Sequence, residues 1–309
     1  MPYMFKKSLE SIIQELEDLG MTTRKFTITN EGSYCDADAD WNYKDIPHAN
    51  FMHSDITSRV FFCEDNSVTS LVIQKFLSIF KLPLCLTNYE YQKNELIYFT
   101  SFLFFILVIR TKIIPVLDSR TKVETTYCIA SQRLLNFIFF PLLKWMLLKN
   151  NSKLMRDDIP MRERRADLRR RGYKFVSKNG SDRFGYSETL LLTEKGLRIP
   201  KHMQGLQEYS VYLKDIDKNR DQCFGSSDHK GIRIIRTDSE ILVFPRICNH
   251  QGGDLSEAEL VAGKIKCPWH GLLCAPICKL TNNLKDSKSN GPHSILINNK
   301  RCIIKTNMG

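Results

Sequence analysis

Two short segments near the end of the chain constrain its fold more than anything else in it. Cys248-Asn249-His250-Gln251-Gly252-Gly253 and Cys267-Pro268-Trp269-His270-Gly271 form a C-x-H … C-x-x-H pair. Two thiols and two imidazoles are soft metal donors, and they can share one centre only if the segments fold as facing loops. A Cys₂His₂ zinc site normally groups its cysteines together and its histidines together, whereas here each segment supplies one of each. Glycine stands in both segments where backbone must turn tightly, and Pro268 stiffens the second. Residues 231–244 predict a β-hairpin running into the first loop. Ile295-Leu296-Ile297 and Cys302-Ile303-Ile304 predict another that closes the domain.

With these boxes and flanking strands, the segment resembles a Rieske [2Fe-2S] domain. The resemblance implies that Cys248 and Cys267 hold the inner iron and His250 and His270 the outer one, which raises the potential above that of an all-cysteine cluster. Respiratory Rieske proteins add a cysteine to each loop and clamp the loops with a disulfide; here those places hold Gly253 and Trp269. They also place Ser and Tyr hydroxyls after the second box, where this chain has Leu272 and Cys274. With fewer hydrogen bonds to the cluster, the expected potential lies toward the low end of the range of about −150 to +300 mV. This is the pattern of ring-hydroxylating-oxygenase and ferredoxin-type Rieske domains.

The first half predicts a helix over 8–19, with Leu9, Ile12, Ile13 and Leu16 on one face. Strands are predicted over 26–29, 68–76, 86–91, 96–109 and 121–129, then an apolar helix over 132–149 kinked at Pro141. Helix, sheet and long helix resemble the helix-grip (START-like) fold, in which a curved antiparallel sheet grips the last helix around an apolar cavity. The expected class is α+β: a helix-grip domain over 1–156, a linker over 157–204, and an all-β Rieske domain over 205–309. In the linker, Asn179-Gly180 between 173–176 and 186–192 predicts a small hairpin.

Within the first half, Asp45-Ile46-Pro47-His48-Ala49-Asn50-Phe51-Met52-His53 reads D-x-x-H-x₄-H. The catalytic domain of Rieske oxygenases is also helix-grip, and there this spacing supplies two histidines to a mononuclear ferrous ion. By that resemblance His48 and His53 are iron ligands and Asp45 bridges toward the cluster histidine of a neighbouring subunit. The third ligand of such a site is a carboxylate from the last helix. Residues 132–155 contain no acid, which leaves Gln132, Asn136, Glu124 or water. The domain order is inverted relative to the familiar oxygenases, and the first half is shorter than most of their catalytic domains.

Net charge is +11, of which +4 lies in residues 205–309 (15 Lys and Arg against 11 acids). A basic surface near the cluster favours an acidic electron donor, a ferredoxin or flavodoxin, or a reductase. The basic run 162–171 predicts a short solvated helix with Asp158 as N-cap, Pro160 in its first turn and Gly172 closing it, rather than a contact to nucleic acid or anionic lipid. Outside the cluster ligands the cysteines are scattered, and Cys274 and Cys278 are expected to be packing residues. No secretory signal is apparent, so a cytoplasmic, reduced chain is expected. The uncharged run 96–109 and the run 134–148, broken by Lys144, both fall short of the ~20 residues that span a bilayer, leaving peripheral association open. The expected function is a Rieske-type non-haem iron oxygenase acting on an apolar or aromatic small molecule. It would work as a homo-oligomer if electrons cross between subunits. The alternative is a ferredoxin-like electron carrier fused to a ligand-binding domain without a second iron.

Overall fold

The computed structural model describes residues 6–64, 66–76, 80–117, 119–175, 197–201, 204–212, 215–216, 221–228, 230–237, 240–281, 287–289, 294–298 and 301–308. Of the hairpin expected from 173–176 and 186–192, only residues 173–175 lie among them. The chain divides into two compact units, the first built on residues up to Asp167 and the second on Leu168–Val176 and Leu192–Gly309.

In the first unit, α1 (Leu9–Asp18) starts at Ser8, whose hydroxyl oxygen accepts from the Ser11 N–H at 3.2 Å. There follow β1 (Thr22–Gly32), α2 (Asp36–Lys44), a 3₁₀ turn at Ile46–His48 and α3 (Ala49–Met52). Then come β2 (Ile56–Glu64), β3 (Ser67–Phe76), β4 (Phe80–Gln92), β5 (Glu95–Phe102), β6 (Phe105–Leu117) and β7 (Arg120–Ser131). These make one antiparallel sheet in the order β1-β7-β6-β5-β4-β3-β2. Strand alternation divides its core. Cys128 and Ala130 of β7 pack with Leu9 and Leu16 of α1, while Tyr127 and Ile129 turn to the other face. That face packs on Leu143 of the last helix, α4 (Arg133–Arg170). The run expected as one strand over 96–109 is two, β5 and β6, joined by a turn at Leu103-Phe104.

The sequence predicted that the last helix stops near 149 and that a separate one begins at Asp158. Instead α4 is continuous for 38 residues through Pro141 and Pro160. Its burial explains this: Met155, Asp158, Arg162, Arg165 and Ala166 recur at helical spacing on one buried face. Both prolines sit on the exposed side. The carbonyls they leave unpaired therefore face water, which lowers the usual penalty for proline inside a helix. Asp158 is thus not an N-cap. Nor is the basic run solvated throughout, because Arg162 and Arg165 are fully buried. Gly172, at φ +90°, closes the helix as expected, and the Tyr173 N–H donates to the Leu168 carbonyl at 3.0 Å.

The second unit is β-rich. β8 (Lys174–Phe175) pairs with β9 (Leu197–Arg198). After them come β10 (Gly205–Tyr212), β11 (Gln222–Phe224), β12 (Ile232–Arg236), β13 (Glu240–Pro245), β14 (Leu260–Val261), β15 (Lys264–Lys266) and β16 (Leu273–Cys274). The last four are β17 (Cys278–Thr281), β18 (Ser287–Ser289), β19 (Ser294–Asn298) and β20 (Arg301–Met308). They form sheets β11-β12-β13-β17-β18, β10-β20-β19 and β14-β15-β16. Both expected hairpins are present, as β12–β13 and β19–β20. Cys278 and Cys302 lie in the core with Ile232, Val243 and Ile304. Burial pushes their thiols up to about 12 and about 11, so both are inert packing groups.

Candidate functional site

The two Cys/His loops leave β13 and β15 and close in the same way. In the first, the Gly252 N–H donates to the Cys248 carbonyl and the Cys248 N–H to the Gly253 carbonyl, both at 2.9 Å. In the second, the Gly271 N–H donates to the Cys267 carbonyl and the Cys267 N–H to the Leu272 carbonyl, both at 2.8 Å. The fifth residue of each loop needs a positive φ, +87° at Gly252 and +69° at Gly271, which is why glycine stands there. Cys248, His250, Cys267 and His270 are all buried, and the two imidazole rings lie 4.9 Å apart, centroid to centroid. Hydrogen bonds from Cys267 and Cys274 draw the Cys248 thiol well below the usual range, while the same contact holds the proton on Cys267. Two thiol sulfurs within reach of one another, beside two imidazoles packed edge to face, form a donor set that suits two irons ligated in unlike pairs. Cys274 also sits against Cys248, with its thiol directed at the Leu272 carbonyl at 3.8 Å.

Trp269 and Gly253 occupy the positions where a disulfide clamp would be. A Cβ added to Gly253 would lie 3.3 Å from the Trp269 ring and 2.9 Å from the Cys267 sulfur. The indole therefore packs directly on the glycine and holds the loops together without a covalent link. Gly253→Ala is expected to overpack this contact at a cost of about 1–3 kcal/mol and to displace the Cys267 sulfur. The check is the cluster's visible absorption per mole of protein, which should fall relative to an alanine substitution on an exposed strand.

A second cluster of donors lies in the first unit. His48 ends the 3₁₀ turn and His53 follows α3, so the short helical segment brings both rings to one side, 5.4 Å apart. Asp158 of α4 faces them: its Oδ1 is 3.3 Å from His48 Nε2 and 3.3 Å from His53 Nε2. All three residues are buried. The opposite ring nitrogens are also engaged. His48 Nδ1 donates to the Asp45 carbonyl, and His53 Nδ1 to Asp157 Oδ2 at 3.2 Å. With Nδ1 of each ring engaged in this way, the two Nε2 atoms converge on a common point at Asp158 Oδ1, as second-shell partners orient metal-binding imidazoles. Donors 3.3 Å apart match the edge of a coordination shell with bonds of about 2.1 Å. The residues present thus fit a divalent metal held by two histidines and one carboxylate.

Charge around this cluster is balanced by a buried arginine. Arg162, one turn beyond Asp158, has its Nη2 3.7 Å from Asp158 Oδ2 and donates through Nε to Asn42 Oδ1 at 2.8 Å. Its guanidinium stacks on the Tyr43 ring at 4.5 Å. Burial works against the Asp158 charge, but hydrogen bonds from His48 and His53, with Arg162 nearby, hold its carboxyl well below the usual carboxylate range. Burial likewise opposes a charged His48. The hydrogen bond to Asp158 and the charges of Asp158 and Asp45 outweigh it and lift the imidazole above its ordinary value.

Of the residues singled out from sequence, His48 and His53 come together, and Asp45 lies behind His48 rather than facing the common point. The expected substitutes for a third ligand are elsewhere. Asn136 donates to the Thr22 and Ile129 carbonyls, and Glu124 pairs with Lys122. The sequence reading missed Asp158, Asp157 and Arg162, because it ended the helix before them.

Residues 210–283 match the family model of the Rieske [2Fe-2S] domain. Those residues thus carry a Rieske domain, and the seven-stranded antiparallel sheet and the long helix α4 precede it in the chain. No curated protein sequence matches the chain. Among solved structures, it is similar to a START superfamily protein from Mycobacterium smegmatis at 10% identity, over 45% of this chain and 97% of that one, with a TM-score of 0.39. It is also similar to the ZhuI aromatase/cyclase from Streptomyces sp. R1128 at 9% identity, over 47% and 96%, with a TM-score of 0.41. Norcoclaurine synthase from Thalictrum flavum gives 11% identity, 58% and 99% coverage, and a TM-score of 0.38.

Proposed function

We propose that this protein is a Rieske-type non-haem iron oxygenase, with the [2Fe-2S] cluster on Cys248, His250, Cys267 and His270 and a ferrous ion on His48, His53 and Asp158. The observation that carries this is the buried set of two imidazoles and one carboxylate in a chain that also holds a Rieske domain. When bound, the cluster supplies electrons singly and the iron supplies reactivity toward O₂. The side chains do the rest. Asp45 and Asp157 hold the imidazoles in the Nε2-ligating tautomer, and Arg162 balances the Asp158 charge. An apolar or aromatic small molecule is the proposed substrate, as the likeness of the Cys/His loops to those of ring-hydroxylating oxygenases implies. An acidic ferredoxin, flavodoxin or reductase is the proposed electron donor. A homo-oligomer is proposed if Asp45 relays electrons from a neighbouring copy.

The test is anaerobic iron analysis. Protein loaded with Fe(II) should carry one iron beyond those of the cluster. His48→Ala/His53→Ala should lose that iron while keeping the Rieske absorption. Unchanged iron content in the double variant would leave the ferredoxin-like reading, an electron carrier fused to a ligand-binding domain.

A further inference from the structure

We propose that the outer face of α4, together with the turn between β5 and β6, docks on an anionic lipid surface. The inner face of α4 is buried in the sheet through Leu143 and its neighbours. The opposite face should therefore be polar, as on a surface helix of a soluble domain. It is not: Leu134, Phe137, Ile138, Leu142 and Trp145 follow one another at helical spacing, and each is more than half exposed. A helix with an apolar stripe on its outer side as well as its inner one needs a second apolar phase there.

The turn adds to the same patch. Leu103 and Phe104 are 82% and 74% exposed at its tip, and Leu103 holds a left-handed backbone (φ 50°) that usually selects glycine, asparagine or aspartate. Two large apolar side chains thus protrude where a polar turn would cost less. Phe105, at the base of the turn, meets Phe139 of α4 with ring centroids 6.0 Å apart, so the turn packs against the helix that carries the stripe. No helix among the described residues is long and apolar enough to cross a membrane, which fits a helix lying in the interface rather than spanning it.

Charge selects the occupant. From Arg133 to Arg156 the helix has five basic residues and no acid. Arg24 lies over Phe137 at 5.5 Å and Lys149 over Trp145 at 5.4 Å, so cations border the apolar surface as in interfacial helices. A second copy of the chain would bring these same cations against themselves. Anionic headgroups above acyl chains complement both the cations and the stripe.

The sequence contains three tryptophans, and two of them, Trp41 and Trp269, are 5% and 4% exposed. Intrinsic emission that responds to vesicles therefore reports Trp145, which is 51% exposed. The full-length protein is expected to co-sediment with phosphatidylglycerol–phosphatidylcholine vesicles at least about tenfold more tightly than with phosphatidylcholine alone. Trp145 emission should shift to shorter wavelength and be quenched by brominated acyl chains. Leu103→Glu/Phe104→Glu and Lys144→Glu/Lys149→Glu should each weaken binding about tenfold or more. If either variant fails to fold, quenching of Trp145 in the unmodified chain decides the matter alone. Absence of binding, binding with an unchanged Trp145 spectrum, or a concentration-dependent dimer that buries Trp145 would each overturn the proposal.

Discussion

If the proposed ferrous ion sits on His48, His53 and Asp158, Asp158→Asn is expected to release it while leaving the [2Fe-2S] absorption intact. The asparagine keeps the size of the side chain but removes the negative charge and one good metal-binding oxygen. The neutral amide must then complete a site whose other donors are two neutral imidazoles, with buried Arg162 left uncompensated 3.7 Å away. Loss of an outer-shell partner costs about 10–100-fold in metal affinity, so loss of this ligand should exceed about 100-fold. Anaerobic Fe(II) titration gives the affinity, and single-turnover oxidation of a reduced sample gives the consequence for O₂ chemistry. Iron affinity within threefold of the parent chain would show that His48 and His53 bind without the carboxylate.

The second large effect is expected on stability. Arg162→Met should lower the stability of the first unit by about 3–5 kcal/mol, the usual cost of removing one partner of a buried pair. The methionine fills similar volume, so the loss isolates the polar contacts: the bond to Asn42 Oδ1, the contact with Asp158, and the stacking on Tyr43 and Tyr34. For a unit of this size that is a fall of roughly 10 °C in the thermal midpoint. Arg162→Lys should rescue little, because an ammonium cannot serve Asn42 and stack on two rings at once. Far-UV circular dichroism on heating reads both variants. A midpoint within about 2 °C of the parent would show that the arginine is not what holds α4 to α2.

Much of the sheet was legible because its strands carry β-branched and aromatic runs, alternating in burial in β1 and buried continuously in the second half of β7. The elements that escaped have no such period. α2 reads Asp-Ala-Asp-Ala-Asp-Trp-Asn-Tyr-Lys, yet it buries Asp38, Trp41 and Asn42 because Arg162 and Arg165 of α4 meet them there. Polar residues that bury one another across the chain look like a loop in sequence. The 132–149 helix was found, but its continuation was not. Asp-Asp-Ile-Pro is a strong local signal for a helix start, and only tertiary burial of the 155/158/162/165 face overrides it.

What the sequence determined by itself was the chemistry that lies within a few residues. The two Cys/His loops, with glycine at the positions that take positive φ, are local objects, and their spacing alone specifies their shape. His48 and His53 are five residues apart on one short helical segment and were visible for the same reason. Only the tertiary structure decided what completes their site. His53 and its α4 partner Asp157 are 104 residues apart, and Asp158 meets the histidines because the helix continues through Pro141 instead of ending near 149. No local pattern encodes that. Packing energy over a 38-residue helix set the register, and the register placed the carboxylate.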